Sequence, residues 1–263
     1  MQIDMKRNIA VLLIAFAAVT LSANAQKIPS DVQNDGFRGA VKKVSEYIYD
    51  AEGTAKDPHK GMSLQITETK YDNYGNKKVI TFFADDNNVI FKTRYKRDAI
   101  GNLILEQFID PDGDVIGRTY YSYDPNNVLT QMYVFDGETQ LENRTLFVYD
   151  GQGRLIGKNL CDNYNDILDR EVYELGYNGL PQKKSIFNRQ KKLVDETLYE
   201  YDDHDQVITA THFDYNGKDA EVGTTLYEYS YDDHGNWVER YEYAVDGDKI
   251  EPVTIIERTI EYY

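Results

Sequence analysis

The chain repeats itself every 26 residues, and that period limits its possible folds more than any other feature. A Tyr-Asp pair or its equivalent ends at Asp72, Asp98, Asp124, Asp150, Gly176, Asp202 and Asp232, in steps of 26 and one last step of 30. The four extra residues fall between Gly217 and Thr225. Three residues after each marker stands Gly75, Gly101, Asn127, Gly153, Gly179, Asp205 or Gly235. All are residue types that tolerate a positive φ, as a tight turn requires. Other columns keep register too: Val89, Val115, Leu141, Ile167 and Leu193 at +17, Thr93, Thr119, Thr145, Glu171 and Thr197 at +21, and Tyr95, Tyr121, Phe147, Tyr173 and Tyr199 at +23.

Inside a unit the order is turn, strand, turn, strand. After Asp98-Ala99-Ile100-Gly101 comes the apolar run Leu103 to Ile109. Asp110-Pro111-Asp112-Gly113 is a second turn, with Pro where φ near −65° is wanted and Gly where the chain reverses. Val115 to Tyr123 is the next strand. Side chains alternate along a strand, so the odd offsets are expected to share one face: Leu103, Ile109, Val115, Tyr121 and Tyr123. No long segment shows the 3.6-residue spacing of a helix. One hairpin alone is marginal in water, so units must stack on neighbours. Seven units give about 14 strands, with a leading strand Val44 to Tyr49 and a closing strand Val253 to Tyr262. The fold expected is all-β: a repetitive antiparallel β-meander, a curled single sheet with its odd face partly protected. Ala51 to Met62 breaks the period and reads as a long loop.

The N-terminus has a different character. Lys6 and Arg7 precede an apolar run from Ile9 to Leu21, and Ala23-Asn24-Ala25 offers the small residues a signal peptidase reads. The run is short for a bilayer core of about 30 Å. Residues 1–25 therefore read as a signal peptide, 26–43 as an exposed lead-in, and 44–263 as the hairpin-repeat domain. The mature chain is expected to be exported, periplasmic or extracellular, with no membrane span after cleavage. The sequence holds 45 Asp and Glu against 29 Lys and Arg, a net charge of −16. That balance argues against nucleic acid as a partner. A single Cys rules out an internal disulfide and a Cys-rich zinc site.

The markers carry a resemblance. Tyr149-Asp150-Gly151-Gln152-Gly153-Arg154-Leu155-Ile156 is similar to the core of the YD (Rhs-type) repeat, Y-D-x-x-G-R-L. Tyr71-Asp72-Asn73-Tyr74-Gly75-Asn76 and Tyr231-Asp232-Asp233-His234-Gly235-Asn236-Trp237 resemble its variant with Asn in place of Arg. The resemblance covers roughly residues 44 to 263 and departs from the pattern at Arg97-Asp98, Leu175-Gly176 and Asp205. It implies β-sheet scaffolding and surface recognition of the kind expected of short exported YD-repeat proteins of Gram-negative bacteria, and no shared catalytic residues.

Chemical motifs are sparse. The acid pairs Asp85/Asp86 and Asp202/Asp203 fall where hairpin turns need them, and His204 and His234 share the +2 turn offset, which points to turn surface. Cys161 takes a strand offset filled elsewhere by Phe or Ile and reads as a small buried hydrophobe. Asp110-Pro111-Asp112-Gly113-Asp114 has the alternating acids of a calcium loop, but its twelfth position is Tyr121 where a bidentate Glu is needed. With Asp246-Gly247-Asp248 it reads as turn chemistry, so no metal and no cofactor is expected. The tyrosines are the best lead. Tyr95, Tyr121, Tyr173 and Tyr199 form a ladder suited to cross-strand packing or to stacking on sugar rings. The function expected is non-catalytic recognition or scaffolding of a glycan or envelope protein. The alternative is a periplasmic or secreted polysaccharide hydrolase using paired carboxylates.

Overall fold

Turns set the frame. In the computed structural model, which describes residues 30–263 except 138–139 and 218–219, each marker Asp opens a turn in the same way. Asp72 Oδ1 accepts from Tyr74 N and Asn76 N, both at 2.9 Å, and Asp98, Asp124, Asp150, Asp202 and Asp232 repeat the pattern. The hydrogen bond from Arg154 N is the first reason that the Asp150 carboxyl is held below the usual range. The residue three places on lies in the left-handed region in all seven turns, from Gly75 (φ 82°) to Gly235 (φ 77°). Any L residue there would be strained, so the Gly/Asn/Asp column follows directly from sterics. The alternate turns at Asn87, Gly113, Gly137, Asn165 and Lys191 also take positive φ.

Between these turns run β1 (Val41–Thr54), β2 (Asp57–Tyr71), β3 (Lys77–Phe83), β4 (Val89–Arg97), β5 (Leu103–Ile109), β6 (Val115–Tyr123), β7 (Leu129–Asp136) and β8 (Gln140–Tyr149). They continue with β9 (Leu155–Cys161), β10 (Ile167–Leu175), β11 (Pro181–Asn188), β12 (Leu193–Tyr201), β13 (Val207–Asp214), β14 (Glu221–Tyr231), β15 (Trp237–Asp246) and β16 (Lys249–Tyr262). The strand order follows the chain and then closes. β1 pairs antiparallel with β16 from Val41↔Tyr262 to Asp50↔Thr254. The expectation of a curled single sheet with free edges is thus corrected to a closed 16-strand barrel. The physical reason lies in the edges: two long edge strands leave rows of unpaired N–H and C=O groups, and here each satisfies the other.

Two further corrections concern the first residues of the wall. Ala51 to Met62 is strand on both sides of a tight turn, with Ala51↔Lys60, Glu52↔His59, Gly53↔Pro58 and Thr54↔Asp57 in register, and no long loop exists there. The lead-in 26–43, where described, is not an exposed tail: Val32 is 4% and Val41 1% exposed. The signal peptide 1–25 lies outside the described residues.

Face assignment follows from burial. Thr93, Thr119, Thr145 and Thr197 are 2%, 4%, 7% and 6% exposed, whereas Tyr120, Val148 and Leu198, of opposite parity, are about 40% exposed. The first set points inward and the second outward. Directly paired residues share a face, so Val44, Thr69 and Ile80 join Thr93 on the inner wall. The odd-offset expectation fails within units because the register shifts by one residue beside each turn. Glu106 and Phe108 pair with Thr119 and Thr93 on the inner ladder, while Ile109 pairs with Lys92 on the outer one.

A short helix, α1 (Asp31–Asn34), closes one end of the inner wall. Ser30 and Gln33 form a capping box, and Val32 N donates to Gly75 O at 2.9 Å. Asp31 pairs with Arg97, and Asp35 pairs with Lys77 at 2.7 Å and accepts from Tyr71 OH at 2.6 Å. Further on, Arg38 N donates to Asn236 Oδ1 at 2.7 Å. Val32, Val41, Val44 and Tyr71 form a buried apolar cluster, with Phe37, Ile260 and Tyr262 packed on it.

Candidate functional site

The tyrosines divide by offset into two jobs. Three of the marker tyrosines are staples: Tyr123 OH donates to Leu103 O (2.9 Å), Tyr149 to Leu129 O (2.7 Å) and Tyr201 to Pro181 O (2.6 Å). In the last, lengthened unit Tyr229, two residues before the marker Tyr231, makes the equivalent bond to Val207 O (2.8 Å), and Tyr231 donates to Asp202. Each staple ties the end of a hairpin to its beginning. The ladder two residues earlier lines the inner wall. Tyr95 stands opposite Glu106, and the Tyr121 hydroxyl reaches the same carboxylate. Burial pushes the Glu106 carboxyl up to about 6, against the lowering pull of Tyr121 and Lys77. Burial and Glu106 together raise both tyrosines well above the usual phenol range. Tyr173 donates to Glu171 and has the Lys158 ammonium 5.6 Å from its ring centroid. Tyr199 lies opposite Ala210, its ring centroid 6.4 Å from that of Tyr201. The ladder is therefore two inner-wall pairs separated by Phe147, and it forms no surface row.

The rest of the inner wall is polar as well. Arg258 pairs with Glu46 at 2.7 Å and lies 3.3 Å from the Trp237 ring centroid, with Arg240 5.2 Å from the same ring. His212 Nε2 is 3.3 Å from Asp195 Oδ2.

The remaining sequence candidates have structural partners. Asp202 accepts from His204 N, Gln206 N and Tyr231 OH, and Asp203 is exposed beside His204. The His204 ring stacks on Tyr231 at 4.4 Å and the His234 ring on Tyr262 at 3.9 Å, which places both on turn surfaces. Asp110 Oδ1 accepts from Asp114 N at 2.8 Å, and Gly113 carries φ 98°. Asp246 pairs with Lys249 across the β15–β16 turn. Cys161 is free and buried. Among the described residues no group of three or more His, Cys, Asp or Glu is arranged to hold a metal.

The outer wall carries a pattern that the odd columns do not contain. Lys92, Arg118, Arg144 and Arg170 recur at 26-residue spacing, at +20. Each is outward, paired with Ile109, Phe135, Cys161 and Phe187 respectively. Two clefts open on this wall. One, of about 430 Å³, is lined by Lys70, Lys78, Lys92 and Arg94. The other, of about 570 Å³, is lined by Lys96, Leu105, Tyr120, Tyr133 and Phe135. The sequence signal is the even offset +20, which lies outside the odd-offset columns.

With this geometry in place, similarity to known structures concerns the fold. A porin-like protein from Bacteroides uniformis aligns with TM-score 0.53 at 10% identity, over 84% of this chain and 96% of that one. This likeness is one of barrel architecture. Two structures of TcdB2-TccC3, with and without Cdc42, align at 16% identity over 74% of this chain and 12% of theirs, with TM-scores of 0.29 and 0.28. No family model and no curated protein sequence matches the chain.

Proposed function

We propose that the chain is a non-catalytic, exported barrel of the bacterial envelope that recognises or scaffolds a glycan or an envelope protein through its repeated wall. The observation that carries this is the chemistry of the outward ladder. Lys92, Arg94 and Lys96 on β4, Glu200 on β12, Glu228 on β14 and Glu239 on β15 stand on it. A lipid-facing barrel needs an outward apolar band about 25 Å tall, and a charge at its midplane costs about 2–4 kcal/mol. A wall with these residues outward suits water and a polar partner. Repetition multiplies such a surface without forming a pocket. Against the hydrolase alternative, Glu106 is engaged by Tyr121, and Asp31, the carboxylate that acts on it, is held by Arg97 and Lys77 N.

The test combines three measurements on the mature protein. N-terminal sequencing is expected to begin at Gln26, and the protein is expected to stay in the aqueous phase without detergent. Glycan arrays and envelope pull-downs are expected to give binding without release of reducing ends. Turnover abolished by Glu106→Gln, or a detergent requirement, would overturn the proposal.

A further inference from the structure

We infer that the outward face of β4–β10 binds an acidic polysaccharide strand laid across the hairpins. This rests on the recognition function proposed above and names its ligand class and its face. The ladder Lys92, Arg118, Arg144 and Arg170 is produced by the repeat itself, one cation per hairpin. Neighbouring strands lie about 4.8 Å apart, so cations two strands apart recur at about 10 Å, and the four span about 30 Å of wall. On the strands between them stand hydrogen-bonding side chains, with Gln107 opposite Arg118, Tyr133 opposite Arg144 and Asn159 opposite Arg170. From β4 to β9 the outward positions hold one carboxylate, Glu142 at the β8 bulge, against Lys92, Arg94, Lys96, Arg118 and Arg144, although the chain carries a net charge of −16. The sign of the surface is inverted locally.

The cations are not all spent on the fold. Lys92 makes no ion pair among the described residues, and Arg144 Nε is buried with no hydrogen-bond partner among them. Arg170 Nε donates to Asn159 at 3.1 Å. Arg118 is different: its Nη1 donates to Gly137 O at 2.8 Å and holds the β7–β8 turn. Beside the ladder, Tyr120 is exposed and its ring meets Phe135 edge-on at 5.6 Å, giving an aromatic step next to Lys96.

The spacing selects the ligand. A polymer with one acidic group per disaccharide presents charge at intervals of the ladder's order, hydroxyls for the Gln107/Asn159 row, and ring faces for Tyr120 and Tyr133. Nucleic acid presents a phosphate about every 3.4 Å along one strand, too dense for this ladder. An anionic membrane would want protruding apolar side chains between the charges. Of the apolar partners of the cations, Ile109 and Cys161 are buried, and Arg118, Arg144 and Arg170 have Gln107, Tyr133 and Asn159 on their other side.

The experiment titrates the mature protein with three polymers in immobilised form: an alternating uronate–amino-sugar polysaccharide, a neutral dextran, and a single-stranded oligonucleotide; anionic phosphatidylserine vesicles are a fourth arm. The alternating polymer is expected to bind tightest, with affinity falling as salt rises. Lys92→Gln/Arg144→Gln/Arg170→Gln is expected to weaken that binding at least tenfold and flatten its salt dependence, with far-UV spectrum and melting midpoint unchanged. A triple Lys42→Gln/Lys249→Gln/Lys56→Gln variant, which removes three cations away from the ladder, is the charge-matched control and is expected to bind as the parent does. A neutral glycan or an envelope protein that binds the parent and the triple variant alike would overturn the ladder while leaving the recognition function standing. Preference for oligonucleotide or vesicles would overturn the ligand class. Binding to nothing, in arrays, pull-downs and titrations alike, would overturn both proposals.

Discussion

Two arcs of one barrel are built by different means. In the arc of β16, β1 and β2 the strands run 14, 14 and 15 residues, and the inner side is filled by α1 and the segment to Arg38. The buried cluster of Val32, Val41, Val44 and Tyr71 lies there. In the arc from β5 to β13 the strands are 7 to 10 residues long, and most wall residues are neither buried nor fully exposed. That intermediate burial is what a single sheet layer gives when neither face is covered by a second layer of apolar side chains. Hydrophobic burial thus holds the seam, whereas turns, hydrogen-bond ladders and Tyr staples hold the copies. A repeat generates wall cheaply, but the ends of the repeat need a dedicated fastening.

The largest expected effect tests that fastening. Phe37→Ala is expected to destabilise by about 3 kcal/mol in urea unfolding, since it removes a ring from the apolar cluster and from the Arg258 guanidinium 5.2 Å away. Phe135→Ala, on the outer wall, is expected to cost clearly less; equal costs would erase the distinction between the arcs. Next comes Gly153→Val in the thin arc. Gly153 has φ 78°, and a β-branched side chain there is expected to cost about 1–3 kcal/mol. A neutral outcome would mean that the turn column is not sterically required. The smallest effect has the opposite sign. Glu106 titrates at about 6 in the fold against 4.5 in the unfolded chain. An acid raised in this way is fully tolerated below the unfolded value, and stability is lost as pH rises through the folded value, by up to about 2 kcal/mol. Glu106→Gln is expected to flatten the stability profile between about pH 4.5 and 6 and to leave the protein at pH 7 no less stable than the parent. A variant that keeps the full pH slope would assign the titration elsewhere.

How much of this was legible in the sequence depends on the kind of information involved. The fourteen strands β3 to β16 were readable, because each Gly, Asn or Asp at +3 marks a turn that sterics impose. The closing strand Val253 to Tyr262 is β16 itself, and the strand that completes the 16 beside β1 is β2, hidden in the sequence by the break at Ala51 to Met62. Closure was not readable. The local pattern of a hairpin is the same in an open sheet and in a ring, and only the pairing of Val41 with Tyr262, more than 200 residues apart, separates them. Ala51 to Met62 misled because a change of turn, with Gly53 at φ 92°, broke the period without ending the strand. The candidate ladder Tyr95, Tyr121, Tyr173 and Tyr199 was found by its spacing, but period alone does not say inside or outside. The register shift beside each turn, as at Phe108/Ile109, decides that, and it comes from backbone geometry with no residue type of its own. The cations at +20 have the same period as the tyrosines and became visible once the faces were separated.

The antiparallel pairing of β1 with β16 also restricts how such a gene can grow or shrink. Tyr263 N bonds Ala40 O at 2.9 Å, so the two ends of the wall meet side by side and point in opposite senses. Only an even number of strands brings them together that way. Duplication or loss of a whole 26-residue copy would leave a ring of 18 or 14 strands with every neighbour still antiparallel, whereas slippage by half a copy would present the last strand to the first in the wrong direction. The hairpin is therefore the smallest heritable increment of circumference, and length variants in natural populations are expected to fall on multiples of it.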